Sequence, residues 1–84
     1  MSEVILRILD EDIDRSCASV TLYLTRQEAI NLSAAITALL DGPRDRHEHV
    51  DSDDFKRELT ICLYDASDLS GFNDRSRRLI ELDT

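Results

Sequence analysis

Two stretches of the chain alternate between apolar and polar residues, which is the pattern of a half-buried β-strand. They are CASVTLYL at 17–24 and FKRELTICLY at 55–64. A third stretch, EVILRIL at 3–9, is rich in β-branched and other apolar residues and also predicts a strand. The polar turn at 10–16 separates the first two strands, so these are expected to pair as an antiparallel hairpin.

A long helix is predicted after the second strand. Thr25-Arg26-Gln27-Glu28 is a capping box, in which the threonine hydroxyl and the glutamate carboxylate each accept a backbone N–H. Apolar residues then recur at helical spacing up to Leu40. Gly42, expected as a left-handed C-terminal cap, and Pro43 end the pattern, which places the helix at 26–41. Its aliphatic face predicts packing and no chemistry.

The C-terminal segment can be a short helix at 74–82, with Asn73 or Asp74 as its cap, although its period is too short to exclude a fourth strand. The predicted fold is α+β. A small three-stranded mixed sheet (β-β-α-β) carries one long helix on one face and a short C-terminal helix. Because strand–helix–strand crossovers are right-handed, the third strand should lie parallel to the second. The chain, residues 1–84, is expected to form a single domain.

The charge of the chain limits its partners. Ten Lys and Arg residues against eighteen Asp and Glu residues give a net charge of −8. This acidity argues against nucleic acid and anionic lipid, because both are bound through cations. It is compatible with a basic protein surface. The start, MSEVILRILD, lacks the basic and apolar regions of a signal peptide, so a cytoplasmic protein without a membrane segment is expected.

The face of the predicted sheet opposite the long helix is the expected partner surface. It is not cleanly polar, and exposed apolar patches often mark binding sites. A protein partner or a second copy of the chain can bind there; alternatively, the last helix or the long loop covers the face. The residues predicted to bind the partner are Tyr23, Tyr64, Arg7, Thr21 and Glu58.

The segment RDRHEHVDSDD at 44–54 is predicted to be a long polar loop with candidate metal ligands. His47 and His49 are two residues apart and point the same way if the backbone is extended. Together with a carboxylate, above all that of Asp51 but also of Asp53 or Asp54, they suit zinc or a similar divalent ion. The alternative is a solvated loop in which these side chains do not converge.

Other chemistry finds little support in the sequence. The acids at 10–14 lack the glycine and the final glutamate of a calcium-binding loop. Cys17 and Cys62 lie in predicted strands, where packing thiols are usual, and share no metal-binding spacing. No nucleophile motif or phosphate-binding glycine loop is present. Whether the protein is an enzyme stays open, with the balance against catalysis.

Four features follow one another along the chain: the capped helix LTRQEAINLSAAITALLDGP, the HEHV element, a strand ending at Tyr64 and the turn LSGFNDRS. This order of motifs resembles that of a group of small bacterial proteins without an assigned activity. The resemblance covers about residues 20–80 and implies a bacterial intracellular domain. It supplies no catalytic residue and no required cofactor.

The sequence thus predicts a small acidic protein that acts by protein–protein interaction, of a regulatory or toxin-neutralising type. The first alternative is a divalent-metal-binding protein that uses His47 and His49. The second is a small enzyme.

Overall fold

The computed structural model of this protein describes residues 6–42, 47–65 and 67–84. Its elements along the chain are β1 (Leu9–Asp10), β2 (Arg15–Ser16), α1 (Arg26–Asp41), β3 (His47–Asp51), β4 (Glu58–Cys62) and α2 (Asp74–Leu82). The strands form two separate antiparallel pairs, β1 with β2 and β3 with β4. The prediction of an α+β fold is therefore confirmed, and both helices lie where they were predicted.

The chain divides into two compact units. The hairpin–helix unit is Leu22–Tyr64 and contains α1, β3 and β4. The terminal unit consists of the described residues up to Thr21 and from Asp65 onward, with β1, β2 and α2. The single-domain assignment remains a prediction.

The prediction of a three-stranded mixed sheet is wrong. Among residues 6–42, 47–65 and 67–84 the sheets have two strands each, and 17–24 forms no strand. An alternating pattern predicts a strand only where a neighbouring strand and a covering layer bury one face. Here both sides of the segment are exposed, as Val20 on one side and Tyr23 on the other show. The predicted parallel pairing of the second and third strands is therefore also wrong. The expected antiparallel hairpin survives only as the short β1–β2 pair, and positions 3–5 of the first predicted strand lie outside the described residues.

The predicted loop at 44–54 is also partly wrong, because His47–Asp51 is a strand. It pairs with β4 in a register that runs from His47 opposite Cys62 to Asp51 opposite Glu58. Only Val50 in this strand is a strong apolar residue, so the hydrophobic pattern did not reveal it. Positions 44–46 lie outside the described residues.

Helix α1 begins at the predicted capping box. Thr25 Oγ1 accepts the N–H of Glu28 at 3.1 Å, and Glu28 Oε1 accepts the N–H of Thr25 at 2.8 Å. The helix ends at Gly42, but this residue has φ −95° and ψ 177°. The expected left-handed cap is therefore wrong, and the glycine continues in an extended conformation.

Helix α2 is fixed at both ends within the terminal unit. Asn73 caps its N-terminus by accepting the N–H of Ser76 at 2.8 Å. At its C-terminus, Arg7 Nε donates to the carbonyls of Leu79 and Ile80 at 3.1 and 3.2 Å. Arg7 thereby adds side-chain donors to the carbonyls of the last helical turn, one of which, Leu79 O, also accepts the N–H of Asp83 at 2.9 Å.

The apolar core is small. Among the described residues the buried apolar side chains are Leu39, Val50 and Leu79. Leu39 of α1 and Val50 of β3 lie in the core of the hairpin–helix unit, where α1 packs against β3. Many other large apolar side chains of the described residues are exposed, and exposed apolar surface often marks a binding site.

Glu28 joins α1 to the hairpin. Glu28 is only 9% exposed. Its Oε1 accepts the N–H of Thr25, and its Oε2 accepts the N–H of Asp53 at 2.8 Å. These backbone donors, Thr25 first, hold the pKa of Glu28 below its ordinary value of 4.5. The ionised carboxylate therefore stabilises the folded state above that value, and this stabilisation is lost as the pH falls below it through the folded-state pKa.

We expect Glu28→Gln to destabilise the protein at pH 7 and to do so much less at pH 3. The amide keeps one oxygen for the helix cap but turns an NH₂ group toward one of the two backbone donors. Because the folded-state pKa is lowered, the wild type loses its carboxylate stabilisation progressively as the pH falls below 4.5, so the difference between the two proteins should shrink. Urea denaturation followed by circular dichroism at both pH values measures the difference. An equal difference in the free energy of unfolding between the two proteins at pH 7 and pH 3 would contradict the stabilising role of the Glu28 charge.

Candidate functional site

The β3–β4 hairpin has two chemically different faces. Val50 is buried on the face toward α1. Because side chains alternate along a strand, the neighbours of Val50 point away from the helix. We call this the outer face; its residues are His47, His49, Asp51, Glu58, Thr60 and Cys62.

His49 is held in place by two residues of β4. Its Nδ1 lies 2.9 Å from Thr60 Oγ1 and 3.2 Å from Glu58 Oε1. Thr60 is directly opposite His49 in the strand register, and Glu58 is the diagonal neighbour. The side chains of His49 and Glu58 remain 49% and 55% exposed, so the pair is oriented and still accessible.

His47 lies beside His49 on the same face, as the spacing of two residues predicted. The centroids of the two rings are 5.0 Å apart, and their planes are inclined by 80°. Asp51 follows on the outer face, opposite Glu58. Within the described part of the chain, no group of three or more His, Cys, Asp or Glu side chains could hold a metal ion. The structure thus brings the two histidines together without Asp51 as a third ligand.

The other two aspartates of the predicted metal loop have structural partners. Asp53 accepts a hydrogen bond from Thr25 Oγ1 at 2.8 Å. Asp54 accepts from Ser52 Oγ at 2.6 Å and from the N–H of Lys56 at 3.0 Å, and these donors lower the pKa of its carboxyl. Both residues therefore shape the β3–β4 turn and its contact with the start of α1.

The five residues predicted to bind a partner on one sheet face do not share a sheet, because the three-stranded sheet does not form. Tyr23 is 91% exposed in an extended segment, and Glu58 is on the outer face beside His49. Arg7 donates to the end of α2, and its side chain is only 16% exposed. Thr21 is exposed and Tyr64 is half-buried. Their role in binding stays a prediction.

Helix α1 carries a second stripe of aligned residues, with Ala29, Ile36 and Leu40 as its apolar members, that the sequence interpretation did not separate from the first. The stripe that packs inward has Glu28 and Leu39 as its most buried members. The other stripe follows the three–four spacing of a coiled-coil seam, and all its members are exposed. We call it the exposed seam; it consists of Arg26, Ala29, Ser33, Ile36 and Leu40. The spacing was visible in the sequence, but which stripe would be covered was not.

Phe55 is the other apolar residue in an unexpected place. It was predicted inside a strand, but it lies in the β3–β4 turn with φ 60° and is 82% exposed. A left-handed backbone is unfavourable for a residue with a large side chain, and such strain tends to occur at functional positions.

Cys17 and Cys62 are thiols and form no disulfide. Across the stretches that the structure describes, no helix combines the length and the apolar content needed to cross a membrane. Comparison with known proteins gave no match to a family model, to a curated protein or to a solved structure.

Proposed function

We propose that this protein acts by binding a basic partner protein, as a regulatory or toxin-neutralising protein does, and that the exposed seam of α1 is the contact. The observation that carries the proposal is the exposure of two large aliphatic side chains on that seam. Ile36 is 46% exposed and Leu40 is 67% exposed. Burying such a side chain contributes about 1.5–3 kcal/mol, which a binding partner can recover.

The shape of the seam favours an α-helix as the contacting element. Its members repeat at three- and four-residue intervals, which places them along one side of the helix. Ala29 and Ser33 are small and allow a second helix to approach closely. Ile36 and Leu40 then provide the apolar contacts. This arrangement corresponds to recognition of one amphipathic helix by another.

Charge favours a basic partner over a second copy of the chain. The chain carries a net charge of −8, so two copies repel each other and a cationic surface is attracted. Attraction of this kind accelerates association and weakens with salt. The Tyr23 side chain and the Phe55 ring are further exposed aromatic contacts in the hairpin–helix unit.

We expect Ile36→Asp to reduce partner binding at least tenfold, whereas Ile30→Asp leaves it nearly unchanged. Both isoleucines are on α1 and are similarly exposed, at 46% and 51%, but Ile30 lies outside the seam. A tenfold loss corresponds to about 1.4 kcal/mol. The measurement is quantitative affinity purification on immobilised wild-type and variant protein, after circular dichroism has shown that the helix content is the same.

The expected result is a basic protein that is retained by the wild type and by Ile30→Asp, released by salt, and lost with Ile36→Asp. Equal retention by all three proteins would remove the seam from the proposal. The alternative is that a second copy of the chain occupies the exposed seam, and light scattering tests it. A dimer that only Ile36→Asp abolishes would show this second copy.

A further inference from the structure

We propose that His47 and His49 form a binding site for a borderline divalent transition-metal ion, such as nickel or zinc, on the outer face of the hairpin. This site is separate from the exposed seam and does not depend on the proposed partner. Its protein ligands are the two imidazoles alone. Glu58 and Thr60 act as positioning residues for one of them.

The spacing of the two rings already matches that of two imidazoles on one ion. A zinc ion sits about 2.1 Å from a coordinating imidazole nitrogen, which puts it about 3.2 Å from the ring centroid. Two rings that meet the ion at an angle of about 100° therefore have centroids about 5 Å apart. The observed distance between the ring centroids of His47 and His49 is 5.0 Å. The strand holds this spacing because residues two apart project from the same side.

The contacts of His49 select the nitrogen that is available to an ion. An ionised carboxylate accepts hydrogen bonds and cannot donate them, so Glu58 beside Nδ1 favours the tautomer with the proton on Nδ1. Thr60 Oγ1, at 2.9 Å from Nδ1, can accept the same proton. The lone pair is then on Nε2. A carboxylate behind a ligating histidine is a common arrangement at protein metal sites, and it fixes the tautomer and the orientation of the ring.

The donor set determines the class of ion. Two imidazoles suit nickel, copper and zinc, whereas calcium and magnesium require oxygen ligands. Water or a further ligand completes the coordination, because the described residues place no third protein ligand within reach. The affinity should consequently be lower than that of a structural zinc site with four protein ligands.

Titration calorimetry with nickel chloride and with zinc chloride tests the site on the full chain. We expect one ion per chain with a dissociation constant below about 1 mM. His47→Gln and His49→Gln should each weaken binding at least tenfold, and Glu58→Gln should weaken it by about 10–100-fold. Cys62→Ser is the control: Cys62 is opposite His47 on the same face but is not a proposed ligand. Its affinity should equal that of the wild type.

Nitrogen-15 spectra of the imidazoles give a second readout that a purely structural role would not affect. The metal-free protein should show the Nδ1–H tautomer of His49, and zinc should shift Nε2. Binding weaker than about 1 mM, or binding that survives the double variant His47→Gln/His49→Gln, would overturn the site. An unchanged affinity of Glu58→Gln would overturn its positioning role, and a loss with Cys62→Ser would overturn the two-histidine composition.

Discussion

Leu39→Ala is expected to unfold most of the hairpin–helix unit at room temperature. Leu39 is 5% exposed and, with Val50, is one of the two buried apolar side chains in the described residues of this unit. Replacing a buried leucine by alanine costs about 2–5 kcal/mol. A unit of roughly 40 residues has a total stability of about 2–6 kcal/mol, so the substitution removes most of it. Hydrogen exchange of the α1 amides, measured by mass spectrometry, should lose most of its protection.

The neighbouring Leu40 gives a matched control. Leu40→Ala removes the same atoms from the next position of the same helix, but this side chain is 67% exposed. Its effect on stability should be below about 0.5 kcal/mol, as is usual for surface positions. Leu40→Ala should instead weaken partner binding, since Leu40 belongs to the exposed seam. If both variants reduced the protection of the α1 amides equally, the assignment of Leu39 to the buried stripe and of Leu40 to the exposed seam would be wrong.

Arg7→Met should destabilise α2 by about 1.5–3 kcal/mol, the range for hydrogen bonds that involve a charged group. The guanidinium donates to the carbonyls of Leu79 and Ile80, and its side chain is only 16% exposed. Methionine has a similar length and preserves the packing of the stem while it removes the donors. We expect the exchange of the α2 amides to accelerate by about 10–100-fold, which is the same free energy expressed as a rate ratio.

Arg78→Met is the control for this prediction. Arg78 is an exposed arginine on α2, so its loss changes the charge by the same amount without removing a carbonyl contact. Its α2 amides should exchange at nearly the wild-type rate. An equal acceleration in both variants would show that net charge, and not the contact of Arg7, stabilises the helix end.

Local signals accounted for both helices. The capping box at Thr25–Glu28 and the cap at Asn73 are complete within a few residues, so the predicted bounds of α1 and α2 agree with the structure. Local alternation located β4, which lies inside the predicted strand at 55–64, but it did not locate β3, because a strand exists only with a partner. The alternating segment at 17–24 forms no strand in the described structure, whereas HEHVD, with a single strong apolar residue, pairs with β4.

The candidate sites divide in the same way. The spacing of His47 and His49 put them on one side of an extended chain, and the structure agrees. Only pairing with β4 could bring Glu58 and Thr60 to His49 Nδ1, because those residues are distant in sequence. The exposed seam is a similar case: the helical period determined which residues of α1 line up together. Tertiary packing then decided which of the two stripes β3 would cover, because an apolar stripe does not specify the surface that buries it.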